Sequence, residues 1–77
     1  MILFSRNKDI IANLDGNQLI LQSDEKKHEY YISLRDNTGA STIKLARYNQ
    51  YHRASEVMEE VYSAIKQNKS FFEFPYN

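Results

Sequence analysis

The feature that most constrains this fold is a run of apolar residues at helical spacing in the C-terminal third of the chain. These positions, three or four residues apart, are Ala54, Val57, Met58, Val61, Ala64 and Ile65. The spacing predicts one amphipathic helix over residues 51–67 with a single buried stripe. Asn49 is the expected N-cap, and Asn68 is expected to end the helix in a left-handed conformation. The rest of the chain must supply a surface that covers the stripe.

Short strands separated by turn residues precede this helix. The segments with strand character are residues 2–5, 10–14, 18–22, 30–35 and 42–48. Gly16 and Gly39 lie in the two strongest turn signals, because glycine readily adopts the positive φ that tight hairpin turns need. Neighbouring segments are therefore expected to pair as antiparallel hairpins.

The last two segments alternate clearly enough to predict a register. The expected inward pairs are Leu34–Ile43 and Ile32–Leu45. The expected outward pairs are Arg35–Thr42, Ser33–Lys44 and Tyr31–Ala46. A slip of one residue would bury Lys44 and expose Ile43, so burial on one face specifies this register.

These elements predict an α+β fold made of a five-stranded antiparallel meander sheet packed by one C-terminal helix. A short aromatic extended tail, residues 71–76, follows the helix. Pro75 lacks an amide donor, so the tail is expected at a sheet edge or rim rather than in a central strand. With 77 residues, the chain is expected to form a single domain over residues 1–77.

Composition excludes several classes of function. The chain has no cysteine, so it forms no disulfide and no thiolate metal site. No apolar run approaches the roughly 20 residues that a membrane-spanning helix needs. A formal net charge of zero disfavours general attraction to nucleic acid or to an anionic membrane. The expected protein is cytoplasmic, without membrane contact.

No catalytic or metal-binding constellation is visible in the sequence. His28 and His52 are the only histidines, and no zinc-protease, serine-hydrolase or glycine-rich phosphate motif accompanies them. Glu56, Glu59 and Glu60 would lie on an exposed helix face, where carboxylates remain solvated. We therefore expect no enzyme activity, no catalytic or metal site and no cofactor.

Aromatic and charged residues predict an interaction surface instead. The outward face of the last hairpin and the aromatics around the helix and tail supply Tyr31, Ser33, Arg35, Thr42, Lys44, Tyr48, Tyr62, Phe71 and Tyr76. Tyrosine and arginine are typical of protein interfaces. Aromatics beside cations also suit nucleic-acid or nucleotide binding, and an ordinary solvated sheet face is a third interpretation. Excess exposed aromatics favour a homodimer or a protein partner.

Several short motifs carry a family resemblance. They are Leu45-Ala46-Arg47-Tyr48, then Arg53-Ala54 with Val57 and Ile65, then Phe72-Glu73-Phe74-Pro75. Together with the first strand and its turn, they resemble a family of small uncharacterised proteins of Gram-positive bacteria and their phages. That family usually has glycine where Ala46 stands and methionine where Phe74 stands. The resemblance implies the strand–helix–tail fold and a bacterial or phage setting. It implies no catalytic residue. The expected function is a non-catalytic interaction module that regulates or inhibits a host protein, or binds itself.

Overall fold

The structure, a computed structural model, describes all 77 residues as one helix and six strands. The elements in chain order are β1 (Ile2–Phe4), β2 (Ile11–Asn13), β3 (Gln18–Asp24), β4 (Glu29–Arg35), β5 (Thr42–Tyr48), α1 (Tyr51–Lys66) and β6 (Phe71–Glu73). The predicted α+β class is confirmed. The single five-stranded meander is wrong, because the strands divide into two three-stranded sheets.

The larger sheet, β3–β4–β5, is an antiparallel meander of seven-residue strands. Three predicted pairs are confirmed: Leu34–Ile43, Ser33–Lys44 and Arg35–Thr42. The ladder then shifts by one residue, so that Ile32 lies opposite Ala46 and Tyr31 lies opposite Arg47. The predicted pairs Ile32–Leu45 and Tyr31–Ala46 are therefore wrong.

The shift is a β-bulge in which Leu45 is the extra residue. Leu45 and Ala46 are neighbours in the chain, yet both are buried, because a bulge removes the strict alternation between faces. Beyond the bulge the parity of β5 is reversed. Tyr48, predicted to face outward, instead lies opposite Tyr30 on the core side.

The smaller sheet, β2–β1–β6, joins the two ends of the chain. β1 pairs antiparallel with β2 and parallel with β6, with Ile2 opposite Phe71 and Phe4 opposite Glu73. The tail prediction of a sheet-edge position is confirmed, since β6 is an edge strand and Pro75 follows it. A backbone bond of 2.9 Å from Arg6 N to Leu45 O ties the end of β1 to the bulge in β5.

The helix packs its narrow stripe onto both sheets. Its buried residues are Ala54, Val57, Val61 and Ala64. The N-cap is Gln50 without a side-chain bond, so the predicted cap at Asn49 is wrong. Asn68 has φ +56° and ends the helix as predicted. Bonds of 3.0 Å from Lys69 N to Ala64 O and from Asn68 N to Ile65 O complete a Schellman motif.

The core forms where α1 meets residues from both sheets and the tail. Its buried members are Leu3, Ile32, Leu34, Leu45, Ala46, Tyr48, Ala54, Val57, Val61 and Phe74. Two residues predicted to be buried are exposed. Ile43 is 44% exposed beside the β4–β5 turn, and Ile65 is 46% exposed on the flank of the narrow helix stripe.

Candidate interaction surface

The predicted surface on the β4–β5 hairpin is only partly exposed. Thr42 and Lys44 are exposed, whereas Tyr31 and Arg35 are half-buried. The expectation of exposure is wrong for Ser33 and Tyr48, which are both buried. Ser33 has a short side chain on the central strand, flanked by Ile20 and Lys44 in the ladder, and its Oγ has no hydrogen-bond partner.

Tyr48 is buried because the bulge turns it inward. Its hydroxyl donates a 2.7 Å hydrogen bond to the Pro75 carbonyl, so it anchors the tail instead of offering a stacking surface. Burial raises the pKa of Tyr48 to about 12, because the phenolate would lose hydration in this position. Arg47, which the sequence did not single out, takes the outward position opposite Tyr31.

The exposed part of this hairpin face is a closed polar network. The Lys44 ammonium lies 4.1 Å from the centre of the Tyr31 ring. The Tyr31 hydroxyl donates to Glu29 Oε1 at 2.5 Å, and Arg47 Nη1 donates to Glu29 Oε2 at 2.9 Å. The bond from Tyr31 lowers the pKa of Glu29, and the same bond raises the pKa of Tyr31. These groups satisfy one another, and the Tyr31 ring already has a cation near it.

The remaining predicted aromatics lie in three separate places. Tyr62 is exposed on the helix with Lys66 Nζ 5.4 Å from its ring centre. Tyr76 is exposed in the tail, 4.5 Å from the Arg6 guanidinium. Phe71 is exposed on β6. The nine predicted residues therefore do not form one surface, and only Phe71 belongs to a group of apolar side chains at the surface.

Those apolar side chains form the outer face of the smaller sheet. Leu3, Ala12 and Phe72 pack toward the core, so their strand neighbours point the opposite way. The outward apolar residues, which we call the outer apolar face, are Ile2, Phe4, Ile11 and Phe71. Ile11 is 69% exposed and Phe71 is 52% exposed.

Contacts within the outer apolar face make it contiguous. The rings of Phe4 and Phe71 meet edge to face with centroids 5.9 Å apart. Ile11, on β2, is the cross-strand neighbour of Phe4 on the same face of the sheet. Lys8 and Glu73 form a 3.5 Å ion pair at one border of this face. Sequence reasoning missed the face, although apolar residues of both parities in residues 2–4 and 10–12 were a signal for it.

Arginine side chains near the tail are engaged in holding it. Arg6 donates from Nε to the Tyr76 carbonyl and from Nη1 to the Arg47 carbonyl, each at 2.5 Å. Arg53 donates to the Asn77 backbone oxygen from Nε at 2.9 Å. These bonds hold Tyr76 and Asn77, the tail residues that follow the buried Phe74, against β1, β5 and the helix. Both arginines therefore have a structural role.

The two histidines lie apart at the surface. His28 has φ +53° in the turn before β4. His52 Nε2 lies 3.9 Å from Glu56 Oε1, and both side chains are more than half exposed. The structure contains no cluster of three or more histidine, cysteine or acidic residues that could hold a metal ion. Its one helix is too short and too polar to cross a membrane.

Comparison with known proteins adds no functional information. No protein-family model, curated protein or solved structure matches the chain.

Proposed function

We propose that this protein is a non-catalytic interaction module that binds another protein through the outer apolar face. One observation carries the proposal: Ile2, Phe4, Ile11 and Phe71 lie together on one side of the smaller sheet, with Ile11 and Phe71 exposed and Ile2 and Phe4 half-buried between them. Single exposed apolar residues are ordinary on protein surfaces, but a contiguous group is typical of an interface.

Burial of this face would supply binding free energy. Covering a large apolar side chain contributes about 1.5–3 kcal/mol relative to leaving it exposed. Ile11 and Phe71 keep much of their surface in the free chain, so most of that contribution is still open to a partner. The exposed ion pair between Lys8 and Glu73 supplies a polar border, as interface rims do.

The size of the face bears on the kind of partner. Three strands of three residues span only about 10 Å by 14 Å, whereas a stable interface buries roughly 800 Å² on each partner. A homodimer built on this face alone would therefore be weak. A protein partner that also contacts residues around the face fits better.

A matched pair of substitutions tests the proposal. Ile11→Asp places a charge in the outer apolar face at an isoleucine that is 69% exposed, and Ile43→Asp places the same charge on an edge strand of the other sheet at an isoleucine that is 44% exposed. We expect Ile11→Asp to abolish recovery of the partner captured by the wild-type protein, and any self-association in sedimentation. Ile43→Asp should retain both. Equal behaviour of the two variants, at unchanged thermal stability, would contradict the proposal.

Nucleic-acid binding by the β4–β5 hairpin is the second candidate. The observation in its favour is that Arg35 and Lys44 form no ion pair, so no carboxylate neutralises either cation, although the Lys44 ammonium already lies on the Tyr31 ring. Burial of Tyr48 leaves only Tyr31 for stacking. Salt-dependent binding of short single strands that weakens in Arg35→Ala plus Lys44→Ala would support this candidate, and unchanged affinity would remove it.

A further inference from the structure

The free edge of β6 carries unpaired backbone groups. Ile2 N donates to Ser70 O at 2.9 Å, and Phe74 N donates to Phe4 O at 3.0 Å. A parallel ladder uses alternate residues, so the N–H and C=O groups of Phe71 and Glu73 point away from β1. No strand lies on that side, since β6 ends the sheet.

A groove runs along this edge between β6 and the helix. Glu60, Ser63 and Gln67 line it on the helix side, and Phe71 and Glu73 line it on the strand side, around a volume of about 870 Å³. Ligand clefts in proteins have volumes of roughly 300–1,000 Å³. A strand edge facing a helix across such a groove is an arrangement that accepts an extended peptide as an added strand.

The charges along the groove do not cancel. Glu60 is paired with Arg53 Nη1 at 3.1 Å, and Glu73 is paired with Lys8 Nζ at 3.5 Å. Lys69, in the turn that closes one end of the groove, is exposed and forms no ion pair. The groove therefore presents one uncompensated positive charge at that end, which favours an acidic residue in whatever binds there.

We propose that the groove between α1 and β6 binds an extended peptide segment of a partner protein, which adds to β6 as the fourth strand of the smaller sheet. An acidic side chain of the peptide lies beside Lys69, and an apolar side chain lies next to Phe71, widening the outer apolar face. This inference rests on the proposed function and names the form of the partner. The outer apolar face is too small to bind a globular surface tightly through buried area alone. A peptide that adds as a strand also forms backbone hydrogen bonds, which supply further affinity.

Selection of short peptides from a random display library on the immobilised protein supplies the probe. We expect enriched peptides to carry alternating apolar residues and an acid. Their affinity should fall about tenfold or more in Glu73→Pro, which removes an edge N–H and places a ring in the path of the added strand. Glu73→Ala is the matched comparison, since it loses the same carboxylate and the same ion pair with Lys8 but keeps the N–H, so the tenfold loss should be seen in Glu73→Pro relative to Glu73→Ala.

Two further measurements remain decisive even if Glu73→Pro fails to fold. Lys69→Glu should weaken the enriched acidic peptides. In the wild-type protein, bound peptide should slow hydrogen exchange at the amides of Phe71 and Glu73, while those of Phe72 and Phe74 are already protected. Failure to enrich any peptide, or enriched peptides that leave the Phe71 and Glu73 amides unprotected, would overturn the inference.

The Ile11→Asp variant separates this inference from the proposed function. Ile11 lies on β2, two strands from the β6 edge, about 10 Å away. Peptides that bind the groove should therefore keep their affinity for Ile11→Asp. A protein partner lost from Ile11→Asp, with no peptide enriched on the wild-type chain, would leave the proposed function standing and remove only the peptide groove.

Discussion

The two sheets of this protein differ in the chemistry of their outer faces. Both consist of three strands and both turn one face toward the core around α1. On the larger sheet, the outer face holds a polar network of Glu29, Tyr31, Lys44 and Arg47 whose members satisfy one another. On the smaller sheet, the outer face carries four apolar side chains, and its one ion pair, Lys8–Glu73, lies at the border. Core packing explains neither outer face, and this contrast is the reason for proposing the outer apolar face as the interface.

The tail allows the smaller sheet to stay attached to the core while its outer face remains free. Phe74, directly after β6, is fully buried, while Phe71, three residues earlier, is half exposed on the outer apolar face. These two phenylalanines on one segment serve different purposes. Substitutions at the two positions separate stability from interaction.

Truncation of Phe74 should have the largest effect on stability. Phe74→Ala is expected to lower the free energy of unfolding by about 3–5 kcal/mol, comparable to the whole stability of a domain of this size. Phe71→Ala should cost only about 1 kcal/mol, mainly through loss of the edge-to-face contact with Phe4. Urea unfolding monitored by tyrosine fluorescence measures both free energies of unfolding. If Phe74→Ala is too unstable to fold, Phe74→Leu removes less of the side chain and leaves a folded protein whose loss of stability can be measured. Equal costs at the two positions would break the comparison.

Local patterns in the sequence are sufficient to predict part of this structure. The helix, its end at Asn68 and the register near Leu34 depend on residues close in the chain, and each was predictable. The parallel pairing of β6 with β1 joins residues about seventy positions apart, and no local spacing encodes it. At the bulge, the Leu45 carbonyl accepts a hydrogen bond from the Arg6 amide, a contact between residues far apart in the chain. Without that long-range contact in view, Tyr48 was placed on the wrong face.

The candidate surface was harder to predict than the fold because exposure is a non-local property. Phe71 was identified from its aromatic character, and it is the only predicted surface residue that belongs to the outer apolar face. Its neighbours Ile2, Phe4 and Ile11 have the sequence pattern of ordinary strand residues. Their significance depends on what covers the sheet, and only the three-dimensional arrangement provides that information.

The bond that fastens the tail should be sensitive to alkaline pH. Tyr48→Phe removes the hydroxyl that binds the Pro75 carbonyl and should cost about 1 kcal/mol at neutral pH. Burial raises the pKa of Tyr48 from the usual 10.0 to about 12 in the folded chain. The neutral phenol thus stabilises the fold below pH 10, and this contribution is lost as pH rises through about 12.

Unfolding free energies measured from pH 8 to 12 should therefore fall less steeply in Tyr48→Phe than in the wild-type protein, at roughly the pH interval between the two pKa values. Tyr62→Phe is the matched control, because Tyr62 is exposed on the helix. If Tyr62→Phe reduced the fall of unfolding free energy at alkaline pH as much as Tyr48→Phe does, the hydrogen bond from Tyr48 to the tail would not be the cause of that fall.

The hydroxyl of Ser33 provides a test with the opposite sign. Its Oγ is buried on the central strand of the larger sheet and has no hydrogen-bond partner. Removing an unsatisfied buried hydroxyl should stabilise the protein, and Ser33→Ala is expected to gain about 1 kcal/mol. Thermal unfolding measures the gain, with Ser63→Ala on the exposed helix face as the control. A loss of stability in Ser33→Ala would mean that this hydroxyl is paired and that the polar network extends to the centre of the strand.

The smallest expected effect is on stability at acidic pH, and it involves Glu29 in the polar network of the larger sheet. The hydrogen bond from Tyr31 holds the pKa of Glu29 below its ordinary value of 4.5. The carboxylate therefore stabilises the fold above that value, and the contribution is lost as pH falls through the lowered folded-state pKa. Glu29→Gln should remove this part of the acid sensitivity, while Glu59→Gln, at an exposed glutamate without an ion pair, should leave it unchanged. If the two variants unfold in acid alike, the polar network contributes nothing to the larger sheet, and its outer face would be as open to a partner as that of the smaller one.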